Sequence, residues 1–266
     1  MYRLARQGVT LSFEDVGKGA PHMVLIHDVA SDHRFFSPQI EHFRRSHRVL
    51  AVDLRGHGQS DKPEQEYTVR GYAEDVAWLC YELGIYEPVI VGYGLGGVVG
   101  MELASGYPDL AAAVVALDSP ILLPNESAAS LLRSFAEKLR NSECDREQHE
   151  LLEYLYPFAT INEQAAQFMP EALQVAPSAV ASTLENILAW KGPAASGDCR
   201  VPVLYIDRGT QATDLERLKR SCTRLTVERT VDADSTNRSL MSEQINQMID
   251  DFLEHNSWLF AGFKEA

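Results

Sequence analysis

Short runs of aliphatic, β-branched residues alternate with amphipathic segments along most of this chain, and that alternation restricts its fold more than any other feature. HMVLIHD (22–28), HRVLAVDL (47–54), PVIVGY (88–93), AAAVVALD (111–118), PVLYID (202–207) and RLTVERTV (224–231) read as strands bounded by turns. Between them, segments near 33–44, 69–84, 95–106, 213–221 and 240–255 carry helical periodicity. Strand–helix alternation of this kind predicts a mostly parallel sheet covered on both faces, an α/β architecture. LSFEDVG (11–17) alternates instead, and predicts an antiparallel edge hairpin with residues 2–6.

Residues 121–197 break the rhythm. They hold helical patterns such as SLLRSFAEKLRN and VASTLENILAW, the polar stretch NSECDREQHE, and no strand candidate. The expectation is a core built from 1–120 and 198–266, with 121–197 as a helical lid inserted over the sheet.

The balance of charge narrows the partners. A net charge of −14 and a pI near 5.0 argue against nucleic acid and against an anionic membrane surface. No apolar run reaches the length of a membrane helix, and MYRLARQGVTLSFEDVGKGA lacks a signal-peptide core. Cys80, Cys144, Cys199 and Cys222 are widely spaced, which predicts neither a disulfide framework nor a metal site. A cytoplasmic protein is expected, and aromatic residues of 121–197 such as Tyr154, Phe158 and Trp190 predict an apolar pocket roof for a small apolar molecule, with no cofactor. The oligomeric state is left open.

VIVGYGLGGVVG (89–100) is a strand running through a glycine-rich turn into a helix. Two readings compete. A phosphate-binding loop has this form, but it wants a Walker lysine, or an early βαβ unit followed by an acidic residue. A nucleophile elbow fits better, because its turn needs small residues such as Gly92 and Gly96 beside the reactive position.

With these motifs the chain resembles the α/β-hydrolase superfamily. VLIHDVASDHRFF resembles its oxyanion loop, VLAVDLRGHGQSDKP its fourth strand and following loop, and GYGLGG its elbow. VVALDSP and VPVLYIDRGT are similar to strands 6 and 7, and TVDADSTNRSLMSEQINQMIDDFL to the segment leading into the last helix. The resemblance implies an α/β-hydrolase fold: an eight-stranded, mostly parallel sheet with helices on both faces and a helical lid.

What the resemblance implies about chemistry is less direct. It places the nucleophile at Gly94 and the base at Ser235, and no histidine lies between 150 and 254. Acyl transfer by serine needs an oxygen nucleophile and a base, so a conventional serine esterase is not expected. Asp118 stands at one of the family's two positions for the acid. The backbone N–H groups of Val29 and Leu95 are the expected oxyanion donors, each able to supply about 3 kcal/mol to a developing anion. Asp28, unusual in that loop, is a second candidate carboxylate, although it would oppose such an anion unless it points away. His27, Tyr93, Tyr154, Phe158 and Trp190 are candidate pocket residues, with His27 and His57 also readable as loop braces. Asp-His-Arg in SDHRFF resembles a stretch of the family's cofactor-free dioxygenases and is equally an ordinary helix cap.

Three functions follow. One is an enzyme using a backbone oxyanion hole and a carboxylate for lyase, cyclase or cofactor-free oxygenase chemistry. Another is a catalytically inactive homologue that binds a ligand or partner. The third is an engineered, inactivated serine hydrolase, which accounts for Gly94 but not for Ser235.

Overall fold

The computed structural model of the protein describes residues 1–123, 125–141, 150–151, 174–193, 199–210, 212–230 and 238–260. Its eight strands form one sheet in the order β1-β2-β4-β3-β5-β6-β7-β8. Strands β1 (Tyr2–Arg6) and β2 (Val9–Val16) make the expected edge hairpin, with Tyr2 opposite Phe13. Strand β2 also runs antiparallel to β4 (Val49–Asp53). From there β3 (Met23–Ile26), β5 (Val89–Tyr93), β6 (Ala113–Leu117), β7 (Val203–Asp207) and β8 (Leu225–Arg229) are all parallel. The apolar runs explain this layout. Every residue of β3 to β7 is buried, as parallel strands covered on both faces must be, whereas edge strand β8 keeps an exposed face.

Helices α1 (Ser37–Phe43), α2 (Val69–Glu82) and α3 (Leu95–Gly106) follow β3, β4 and β5. Helix α4 (Glu126–Asn141) and helix α5 (Pro177–Ala189) pack on each other within the long connection from β6 to β7. Helices α6 (Leu215–Ser221) and α7 (Arg238–His255) complete the set. Their starts are written in the sequence. Thr68 accepts the N–H of Gly71 at 2.9 Å, Asp214 accepts that of Arg217 at 3.0 Å, and α1 and α5 carry proline in their first turns. Helix α3 differs from the others in being buried from Leu95 to Ser105. It is covered on all sides, with Glu102 and Ser105 its polar residues, and is aimed by the turn that precedes it. Among the described residues no helix is long and apolar enough to cross a membrane.

Candidate active site

The β5–α3 turn is held by close backbone approach. Gly94 adopts φ 52° and ψ −114°, a conformation that strains any residue with a Cβ. A Cβ at Gly96 would run into the carbonyl of Ile26 on β3, so that helix and strand meet only because the residue is glycine. A Cβ at Gly94 would overlap the carboxyl group of Asp28. The space beside the turn that the resemblance assigns to a nucleophile therefore holds a side chain from the loop after β3.

That side chain also takes both expected oxyanion donors. Asp28 Oδ1 accepts the N–H of Val29 at 2.8 Å and the N–H of Leu95 at 2.7 Å. The two N–H groups converge as the resemblance implied, but they are not open to a ligand, which corrects the expectation of an available hole. The physical reason is local. Two converging backbone dipoles at a helix start favour an anion, and glycine at 94 leaves room for the nearest one.

His27 is a brace and not a pocket residue. Its Nε2 accepts the N–H of Leu54 at 3.1 Å, so its Nδ1 carries the proton and donates to the carbonyl of Asp28 at 2.7 Å. The ring is fully buried, and burial lowers its pKa in spite of nearby Asp53. His57 packs beside it with ring centroids 5.1 Å apart, and burial, followed by the neighbouring His27 imidazole, pushes its pKa down to about 3. Both imidazoles are neutral supports for the loops that carry Asp28.

Asp118 sits at the end of β6 with φ 44°, a left-handed conformation. Its Oδ1 accepts the N–H of Arg208 at 2.8 Å and the hydroxyl of Thr210 at 3.1 Å. Its buried Oδ2 accepts no hydrogen bond among the described residues and faces Arg208 Nε at 3.6 Å. Burial raises the pKa of Asp118, and Arg208 offsets only part of that rise. Arg208 also donates to the hydroxyl of Tyr93 at 2.9 Å, which ties the end of β5 to the loop after β7. The sequence reading missed Arg208 and Thr210. Both stand in the loop after β7, and a cationic and a hydroxyl side chain just past a strand end are the signal that could have found them.

Asp28, Tyr93, Gly94, Leu95, Asp118 and Thr210 line one end of a cavity of about 360 Å³. Leu123, Leu132, Leu184 and Ile187 supply its apolar walls, the last three from α4 and α5. Trp190, expected in the pocket, does not line this cavity. It ends α5 and donates to Glu102 of α3 at 2.8 Å, because a half-buried indole N–H needs an acceptor. Tyr154, Phe158 and Ser235 lie outside the described residues.

A second acidic group stands behind the site. Asp32, His33 and Asp53 bring three possible ligand atoms within 4.8 Å of one another. Each is engaged by protein. Asp32 caps the turn at residues 33–36 through the N–H of Arg34 at 2.8 Å, and Asp53 accepts both the backbone and the Nδ1 of His33. Asp-His-Arg in this chain is a cap and a brace.

The family model for the alpha/beta hydrolase fold matches residues 21–235, and the chain belongs to that family. A 2-(acetamidomethylene)succinate hydrolase of Mesorhizobium japonicum is 36% identical over 123 residues, 46% of this chain and 44% of that protein. A bifunctional epoxide hydrolase 2 of Sus scrofa is 31% identical over 133 residues, 49% of this chain and 24% of that protein. The chain thus spans less than half the length of these curated relatives. Among solved structures, the enol-lactonase of Burkholderia xenovorans LB400 superposes with a TM-score of 0.80 at 22% identity, covering 95% of this chain and 100% of that one. At this identity the likeness is one of fold.

Proposed function

We propose that the protein is an α/β-hydrolase-fold enzyme that works without a Ser–His pair and without an acyl-enzyme, on a small, largely apolar molecule. The observation that carries this reading is Asp28 Oδ1 accepting both Val29 N–H and Leu95 N–H. In a serine hydrolase two such donors would stabilise negative charge developing on the substrate. Here they hold a carboxylate, and two N–H donors favour its charged form. The site is therefore built to stabilise positive charge and to oppose negative charge.

Asp118 is the proton-transfer group in this reading. Burial raises its pKa from the ordinary carboxyl value, with the charge of Arg208 opposing part of the rise, so the buried site favours its protonated form more than water would. Two carboxyl groups at one end of an apolar cavity, one of them favoured toward protonation by burial, are suited to reactions that pass through cationic character: elimination, ring closure, or acid-assisted opening of a strained ether. Of the reactions expected from sequence, lyase and cyclase chemistry fit this floor. Of the activities printed for the relatives, epoxide opening fits, since protonation of the ring oxygen builds positive charge at carbon. A succinate derivative, carrying carboxylates of its own, fits poorly.

A panel of aryl and alkyl epoxides and a p-nitrophenyl ester tests the reading. Diol formation without ester turnover is expected, with Asp118→Asn lowering kcat by about a hundredfold or more. Ester hydrolysis at about 1 per second, or epoxide turnover indifferent to both Asp118→Asn and Asp28→Asn, overturns it. The second reading, a ligand-binding protein with no turnover, rests on the same filled donor pair. Binding that survives in the absence of any product over the panel would favour it.

A further inference from the structure

We propose that the cavity selects ligands by an inverted polarity: it takes a small apolar molecule ending in a protonated amine or another hydrogen-bond donor, and rejects one ending in a carboxylate. This rests on the reading that the cavity beside Asp28 and Asp118 is the functional site.

Among the described residues, four polar side chains line this end of the cavity. Asp28 is a carboxylate whose Oδ1 is committed to two backbone N–H groups, so its hydrogen-bonding chemistry toward a ligand is that of an acceptor. Asp118 presents Oδ2, a buried acceptor with no hydrogen bond among the described residues, in a side chain 5% exposed. Thr210 spends its proton on Asp118, and that leaves its oxygen as an acceptor. The hydroxyl oxygen of Tyr93 receives Arg208. The backbone donors of the turn, Val29 N–H and Leu95 N–H, already end on Asp28. Among the described residues acceptors therefore dominate this end, and a buried acceptor left without a donor is costly.

A ligand ammonium answers both needs at once. It can donate to Asp118 Oδ2 and stand beside the Asp28 charge, away from bulk water, where ionic attraction is least screened. Leu123, Leu132, Leu184 and Ile187 then receive the apolar remainder. A ligand carboxylate would meet Asp28 in the same place, with the converging N–H pair already taken.

Heptylammonium, heptan-1-ol and heptanoate, titrated calorimetrically at neutral pH into the full chain, test the proposal. Heptylammonium is expected to bind about tenfold more tightly than the alcohol, and heptanoate more weakly than either. Asp28→Asn, which keeps the shape, should abolish the preference for the ammonium. That control separates the site from the general attraction of an acidic protein for cations. Heptanoate binding as tightly as heptylammonium, or no heptylammonium binding at about 10 mM, overturns the proposal. Leu184→Trp and Ile187→Phe, which fill the cavity from one wall, distinguish the two levels of failure. If binding persists in both folded variants, the cavity is not the site and the parent reading fails. If both abolish binding while the order of affinities is anion first, only the inverted polarity fails.

Discussion

Asp28 Oδ1 lies 2.7 Å from the backbone nitrogen of Leu95, so the first N–H of α3 ends on a carboxylate from another loop. The glycine before Leu95 makes this possible. Gly94→Ala should destabilise the fold by about 2–4 kcal/mol, since it adds left-handed strain and drives a methyl group into the Asp28 carboxyl. Urea unfolding of Gly94→Ala, Asp28→Gly and the double variant gives the coupling between them. The double variant should recover about 1 kcal/mol or more relative to additivity. An identical cost for Gly94→Ala in both backgrounds would show that the carboxylate is not what the methyl group meets.

Arg208 acts on Asp118 in two ways, through its backbone N–H at 2.8 Å and through its guanidinium at 3.6 Å. Only the second is removed by Arg208→Met. Because that positive charge pulls the Asp118 pKa down against burial, its loss should move the pKa further up. Carboxyl-carbon NMR titration reads the shift directly. An unchanged or lower Asp118 pKa in Arg208→Met would mean that the guanidinium does not bear on the carboxyl. Any activity limb governed by Asp118 should move to higher pH in the same variant.

The framework of the molecule was legible in the sequence for a plain reason. Strands such as MVLI and VIVGY are buried on both faces, so their composition is nearly uniform and their ends are marked by turns. The glycines of the β5–α3 turn were legible because close backbone approach admits nothing larger. The state of the site was not legible. That Asp28 is an unusual residue in its loop is visible in the chain, but whether its carboxylate turns toward Leu95 depends on the empty volume at Gly94, a relationship across 67 positions. Arg208 was missed because its role is defined by what it faces, Asp118 and Tyr93, and neither is near it in sequence. Trp190 was misplaced because aromatic composition signals burial without direction.

The ion pair behind the site should give the protein a characteristic pH dependence. Burial alone would push the Asp53 carboxyl up, yet the hydrogen bond and charge of His33 hold its pKa down to about 2 from an ordinary 3.8. Burial would likewise lower His33, but Asp53 raises it above 6.5. The signs give two limbs. The Asp53 contribution is present above pH 3.8 and lost as pH falls through about 2. The His33 contribution is present below pH 6.5 and lost as pH rises through the raised value. The pair is therefore fully stabilising from pH 3.8 to 6.5, with the acid limb worth on the order of 2 kcal/mol. Unfolding free energies measured from pH 4 to 9 should fall on the alkaline side in the wild type and lose that slope in His33→Gln. The same slope in both proteins would assign it to another group.

The last prediction concerns restoring an ordinary hydrolase. If the site were an otherwise intact triad lacking two side chains, Gly94→Ser with Ser235→His would hydrolyse p-nitrophenyl esters. The geometry around Gly94 predicts that it does not. A serine Cβ at position 94 overlaps the Asp28 carboxyl, so one of the two side chains must move. If Asp28 keeps its place, the new hydroxyl is displaced from the turn. If Asp28 stays on Val29 and Leu95 N–H, no donor remains for the ester's developing oxyanion. Each defect costs most of the rate, since these groups act as a unit. Adding Asp28→Gly removes both obstacles, freeing the volume and the two N–H groups in one step. The triple variant should therefore exceed the double by about a hundredfold in kcat, with binding of the ester changed much less. Turnover by the double variant at about 1 per second, with no gain from Asp28→Gly, would show that Asp28 yields its position readily. The carboxylate in the donor pair would then be an incidental occupant, not the feature that sets what this site can do.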